Sequence, residues 1–234
     1  MVGAVLTQNT AWTNVEKAIA RLQAARALTP ERVVTVPSQR LAGWLRPAGY
    51  FNVKARRLKN FCAWYLEQGG YDALRRWDTE PLRAGLLSVN GVGYETADDI
   101  LLYAFERPVF VIDAYTRRIF ARLGLVDEGS GYETLRHTFE SALRHETRGG
   151  AAIPVIARRS PAARKGGPRA GRHQALPTAA TVHRRLVGLF NEYHALIVRH
   201  GKDVCRVRPA CDRCTLSRQC RHGRSMGDKI NKNK

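Results

Sequence analysis

Three groups of residues have types and spacings that can do chemistry. The tightest is Cys205-x5-Cys211-x2-Cys214-x5-Cys220, four thiols inside sixteen positions. Soft thiolates crowded in this way bind metal; a structural zinc usually takes two C-x2-C pairs, whereas this segment has one, so the spacing favours an iron-sulfur cubane. A 4Fe-4S cluster on Cys205, Cys211, Cys214 and Cys220 is expected, with zinc as the alternative. The second group is the G-x-G turn Gly91-Val92-Gly93, which separates two helical patterns. Its glycines permit a tight hairpin, and the free amides opening the next helix make a phosphate-binding geometry. The third is Asp113, which ends the apolar run Val109-Phe-Val-Ile112 and opens a helical pattern. Taken alone, it reads as an N-cap worth about 1 kcal/mol.

The elements that must position these groups are helical. Trp12, Val15, Ile19 and Leu22 form one apolar stripe, and Val53, Leu58, Phe61, Cys62 and Tyr65 form another behind Asn52 as N-cap. Cys62 is expected in the core. Thr79 before Glu80-Pro81 reads as a helix start, and Ser130-x-x-Glu133 as a capping box ahead of Leu135, Phe139 and Leu143. No stretch sustains strand alternation, so the fold class is all-α, with eight to ten short helices. Residues 148–182 hold four Pro, five Gly, seven Lys or Arg and no acid. Such a segment cannot bury enough apolar surface to offset its ordering, and a basic, mobile insertion is expected. Helical spacing returns at Leu186, Leu189, Phe190, Tyr193, Ile197 and Val198, and a polar tail follows Arg221.

Charge narrows the partners. Residues 1–147 carry 19 basic and 16 acidic groups, whereas 148–234 carry 20 against 4. A polyanion is the expected partner of the second part, and nucleic acid outranks a membrane surface because no amphipathic anchor accompanies the charge. At 44% apolar residues without a heptad or G-X-Y period, the chain is globular. Its longest apolar run, Ile100 to Phe105, is too short to span a bilayer. The opening Met1-Val-Gly-Ala-Val-Leu6 lacks the features of a secretory leader, and clustered cysteines do not suit a disulfide scaffold. An intracellular, cytoplasmic protein associated with the nucleoid is expected.

The hairpin and Asp113 together resemble the helix-hairpin-helix Gly/Pro…Asp (HhH-GPD) superfamily of base-excision DNA glycosylases, in which the Asp is the catalytic carboxylate. The cysteine segment resembles the iron-sulfur loop of endonuclease III, whose first spacer is one residue longer. Three motifs in order, over nearly the whole chain, make the likeness specific. It implies a six-helix barrel over residues 1–122 carrying the helix-hairpin-helix at 82–106. A helical iron-sulfur domain would follow over 123–222, interrupted by the disordered insertion 148–181, with a disordered tail at 223–234. The DNA cleft would lie between the two domains. The family's opening helix has no counterpart ahead of Met1, so the natural reading frame is expected to start upstream, and Val2, Val5 and Leu6 to lie uncovered.

Within the superfamily, Leu6-Thr-Gln8-Asn9-Thr10-Ala-Trp12 and Arg46-Pro-Ala-Gly-Tyr50 through Leu58 are most similar to the 3-methyladenine DNA glycosylase III branch. Glu95 stands where bifunctional members carry the Schiff-base lysine. Leu196 stands where this branch carries a lysine, and the branch's N-terminal aromatic segment is absent. The resemblance implies a monofunctional N-glycosylase for alkylated purines in double-stranded DNA, acting as a monomer and leaving abasic sites to a separate AP endonuclease. Gly91, Val92 and Gly93 would grip the DNA backbone, Gln8 or Asn9 would fill the vacated stack, and Trp12 and Glu95 would line the base pocket. Two alternatives stand beside it: an oxidised-pyrimidine glycosylase with AP-lyase activity, and a non-catalytic iron-sulfur protein that senses DNA damage.

Overall fold

Short apolar stripes at helical spacing, broken every ten to fifteen residues by Gly, Pro or a cap, can bury themselves only by packing against one another. The computed structural model, which describes residues 1–148 and 178–225, solves this with eleven α-helices between Val2 and Asp203, a further helical turn at 221–225 and two 3₁₀ turns. The helices are α1 Val2–Leu6, α2 Trp12–Ala24, α3 Pro30–Thr35, α4 Ser38–Leu45, α5 Phe51–Glu67, α6 Gly70–Leu74, α7 Thr79–Ser88, α8 Tyr94–Ala104, α9 Ala114–Leu123, α10 Tyr132–Arg148 and α11 Ala179–Asp203. They outnumber the eight to ten expected because α1, α3 and α6, of five or six residues each, are too short for a periodic stripe. Most of the expected insertion, residues 149–177, and the tail from 226 lie outside the described residues. Its last positions do not: Thr178 caps α11, accepting from the Thr181 amide, so the helix starts well before the stripe at Leu186.

Several local readings shift. Tyr50, in the left-handed region at φ 44°, replaces Asn52 at the head of α5. Helix α7 does open at Thr79 as expected, with Asp78 at its cap. Glu133 closes no capping box with Ser130; it turns instead to Arg83 and Arg136. Trp12 leaves the buried stripe of α2, which is Val15, Ala18 and Leu22. Val5 and Leu6 are fully buried, not uncovered, because α1 packs against α2, α5 and α8. Cys62 is buried as expected, and its thiol is pushed up to about 12, first by desolvation and then by Glu31.

Two apolar cores result. One collects side chains from Val5 to Val109, among them Leu22, Leu45, Leu58 and Leu86. The other joins Phe110, Val111 and Ile112 to Phe139, Leu186 and Phe190 of α10 and α11. Helix α8 serves both, since Ile100 and Leu101 face the first and Leu102 the second. Beside this seam runs a chain of ions, buried except for the half-exposed Glu133. Arg83 donates to Asp98 at 2.6 and 3.1 Å and pairs with Glu133 at 2.7 Å. Arg136 pairs with Glu133 at 2.9 Å and Glu140 at 3.0 Å. Losing Arg83 alone would strand Asp98, whose side chain is wholly buried, at a cost of about 3–5 kcal/mol.

The same seam positions the residues before Asp113. Val109–Ile112 are buried in chain outside any helix, with no strand beside them among the described residues, so their amides need partners elsewhere. Glu140 accepts from the Phe110 amide at 3.0 Å, and the Tyr132 hydroxyl from the Ile112 amide at 3.3 Å. Helix α10 thereby delivers Asp113 to a fixed place.

Candidate active site and cysteine loop

Asp113 caps α9. Its Oδ1 accepts from the Thr116 amide at 2.7 Å and the Thr116 hydroxyl at 2.8 Å. The other oxygen, Oδ2, faces His194 Nε2 of α11 at 3.6 Å, an ion-pair distance rather than a hydrogen bond. His194 Nδ1 lies 2.7 Å from the Tyr103 hydroxyl of α8. Burial alone would raise the Asp113 carboxyl, but His194 and Thr116 outweigh it and hold the group below the usual carboxylate range. Asp113 is therefore an anion.

Its neighbours on α8 behave oppositely. Glu95 is pushed up to about 7 by desolvation against the cleft wall, then by the facing carboxylates of Asp113 and Asp99. Its residue as a whole is exposed, so this desolvation falls on the carboxyl end that turns into the cleft. Asp99 rises to about 6, again first by burial. Three carboxyls share one region; burial first, and then like charges, move two of them toward neutrality, while His194 and Thr116 keep the third ionised.

A cleft of about 1100 Å³, its open mouth included, brings together Gln8, Arg57, Gly91, Val92, Gly93, Glu95 and Asp113, with Tyr94, Arg117 and Tyr132 on its walls. Gly91 has φ +100°, and a Cβ there would fall 2.3 Å from Arg57 Cγ, so both the turn and the close approach require glycine. Gly93 precedes α8, whose first amides have no carbonyl a turn earlier. Gln8 ties the α1–α2 turn to the hairpin, donating to the Gly91 carbonyl at 3.0 Å and Thr96 Oγ1 at 2.9 Å and accepting from Arg57.

Asn9, expected to fill the vacated stack, and Trp12, expected in the base pocket, are not among the residues lining the cleft. Asn9 is exposed at the tip of the α1–α2 turn in the left-handed region, φ 53°, which asparagine tolerates. Trp12 is 47% exposed, donates to Glu16 at 2.9 Å and is not among the residues lining the cleft. Leu196 is likewise exposed on the outer side of α11. Sequence reasoning missed Asp99, Tyr103 and His194. The signal was present: Glu95, Asp99 and Tyr103 fall at i, i+4 and i+8 on one face of α8, and His194 interrupts the buried stripe between Phe190 and Ile197.

The four cysteines follow α11 and surround one hollow of about 370 Å³, open side included, with Ile119, Leu123 and His200. Burial and the other three thiols hold the Cys211 thiol above its ordinary range, so the four are close neighbours. Among the described residues no three His, Cys, Asp or Glu side chains are arranged around one point as a single ion requires. The hollow is lined by donors of the right softness for a cluster with several irons. Helix α9 links this loop to Asp113. Arg118 donates to the Cys205 carbonyl at 2.9 Å, Arg122 Nη1 lies 3.2 Å from Cys205 Sγ, and Cys220 Sγ donates to the Arg122 carbonyl at 3.2 Å. At Gly201 the two helices touch, since a Cβ there would meet the Tyr115 ring at 2.4 Å.

A glycine hairpin beside a capping carboxylate, on an all-helical scaffold, defines the class of base-excision repair proteins. Residues 2–145 match the model of the HhH-GPD superfamily base excision DNA repair protein, and the chain belongs to that superfamily as a DNA repair glycosylase. It is 37% identical over 223 residues to MJ1434 of Methanocaldococcus jannaschii, provisionally named a DNA repair glycosylase, covering 94% of this chain and 83% of that one. Among solved structures it is similar to Helicobacter pylori 3-methyladenine DNA glycosylase (MagIII) bound to 1,N6-ethenoadenine, with TM-score 0.61, 26% identity and 83% of each chain covered. It also shares the fold of a trapped endonuclease III–DNA covalent intermediate, with TM-score 0.66, 21% identity, and 96% and 83% covered. No helix among the described residues is long and apolar enough to cross a membrane.

Proposed function

We propose that this glycosylase hydrolyses the N-glycosidic bond of an extruded, damaged purine in duplex DNA, with alkylated purines as its substrate class and without AP-lyase activity. The observation that carries this is the carboxyl couple in one cleft, Asp113 held anionic and Glu95 held near neutrality. Environments that push two carboxyls apart assign an electrostatic partner and an acid. Asp113 stabilises positive charge developing at C1′ and orients the attacking water; Glu95, protonated, donates to a leaving base that carries no positive charge of its own. The α8 amides and the basic cleft residues Arg57 and Arg117 hold the DNA backbone without reading sequence. Asn9, exposed at its turn, is the side chain free to enter the gap left by the extruded base, since Gln8 is engaged with the hairpin.

Cys205, Cys211, Cys214 and Cys220 would hold a 4Fe-4S cluster, which when bound crosslinks the loop and supplies a redox-active centre. The arginines of α9 bind the loop's carbonyls, so the fold around Asp113 rests partly on it. Anaerobically purified protein is expected to be brown with broad visible absorption; a colourless protein with one zinc overturns the assignment. The barrel, iron-sulfur domain and tail divide, in this reading, near residues 122 and 222.

The two-carboxyl reading predicts opposite pH behaviour for two bases. A cationic 3-methylpurine leaves without a proton, so its release stays level as pH rises through about 7, whereas neutral 1,N6-ethenoadenine needs Glu95 protonated and its release declines over that range. Single-turnover base release from the two DNAs between pH 5 and 9 checks this. Glu95→Gln is expected to slow only the neutral base. No release of either base overturns the proposed substrate class.

A further inference from the structure

We propose that Tyr103 and His194 form a positioning relay behind Asp113, fixing its outer oxygen and its charge for attack at C1′. It rests on the reading of Asp113 as the catalytic carboxylate. The geometry is a line of three side chains from three elements. The Tyr103 hydroxyl meets His194 Nδ1 at 2.7 Å, with the rings tilted at 5.8 Å, and the opposite ring nitrogen faces Asp113 Oδ2 at 3.6 Å. His194 is 8% exposed, and its Nε2 makes no hydrogen bond among the described residues, so the imidazole is committed on one side and aimed at the carboxylate on the other. It is not among the residues that line the cleft.

The surroundings fix how the relay works. From α8, Glu95, Asp99 and Tyr103 face His194; from α9, Asp113 does; α10 contributes the apolar Leu135, Phe139 and Leu143 to the core shared with α11. Burial lowers the imidazole, but Asp113, Asp99 and Glu95 together raise it above its ordinary range. Burial, then Asp99 and Asp113, push the Tyr103 phenol up, so it stays protonated. With its hydroxyl donating to Nδ1, a neutral His194 presents Nε2–H to Asp113; on protonation Nδ1–H donates back to the Tyr103 oxygen and the ring becomes a cation. In both states an N–H points at Oδ2. Thr116 holds Oδ1 by two hydrogen bonds, and the imidazole stands against Oδ2 at ion-pair distance.

The pair is tested in free protein, without DNA. The His194 ring titrated by NMR is expected to have a midpoint above that of an ordinary histidine, dropping by roughly one to two pH units in Asp113→Asn. An unchanged midpoint in that variant overturns the relay. The second readout is the acid limb of 3-methylpurine release. Losing the cation raises the Asp113 pKa, so His194→Phe is expected to move that limb upward by roughly one unit, about tenfold slower release on its acid side, with DNA affinity unchanged. Tyr103→Phe moves it in the same direction by less, and His194→Gln, which keeps an N–H, recovers part of the rate. A uniform loss at every pH, tracking lower melting temperature, shows a merely structural role and overturns the proposal. Absence of base release by the wild type counts against the proposed substrate, while the NMR titration still decides the relay.

Discussion

Asp113→Asn is expected to lower base release by about 10²–10³-fold or more while leaving DNA affinity and melting temperature near the wild type. The magnitude follows from removing one preorganised charge from beside a developing cation in a partly desolvated cleft. The variant is informative because asparagine is also a good N-cap. Its Oδ1 can accept from the Thr116 amide and hydroxyl as the carboxylate does at 2.7 and 2.8 Å, so α9 keeps its start. What disappears is the anion, and with it the partner of His194. Single-turnover release and a gel-shift titration on the same 3-methylpurine duplex separate chemistry from binding. Release within a few-fold of wild type would transfer the electrostatic role to Glu95 or Asp99, whose carboxyls share the region.

Borohydride is expected to trap no covalent complex between the wild-type protein and abasic DNA. Strand cleavage through a Schiff base needs an amine that can attack C1′. The residue two positions beyond the hairpin is Glu95, whose carboxyl opens into the cleft and cannot form an imine. The lysines nearest in sequence are already committed. Lys54 is 1% exposed and donates to the Ala48 carbonyl at 2.6 Å, and Lys59 donates to the Val34 and Val36 carbonyls at 2.7 and 2.6 Å. Glu95→Lys places an amine where desolvation and the anion Asp113 already act, and trapping is expected to appear in that variant alone. A trapped complex with the unaltered chain overturns the monofunctional reading and moves the protein to the lyase side of its superfamily.

By itself the sequence determined the helical class, the glycine hairpin, the cap at Asp113 and the four clustered thiols. Each is a local property: a stripe at 3.6-residue spacing, a positive φ that only glycine takes cheaply, a short polar side chain ahead of a helix, and ligands close in the chain. Charge asymmetry was equally legible, because it needs only counting. The tertiary structure decided what these pieces do to one another. Tyr103 and His194 meet across 91 positions, Gln8 reaches the hairpin across 83, and Arg83 finds Glu133 on another helix. No periodicity encodes such pairings, since they depend on which faces α8, α9 and α11 present after packing. The protonation pattern is a product of that packing too. Glu95 and Asp113 are both acids on paper, and burial, a facing imidazole and mutual repulsion raise one toward neutrality and leave the other an anion.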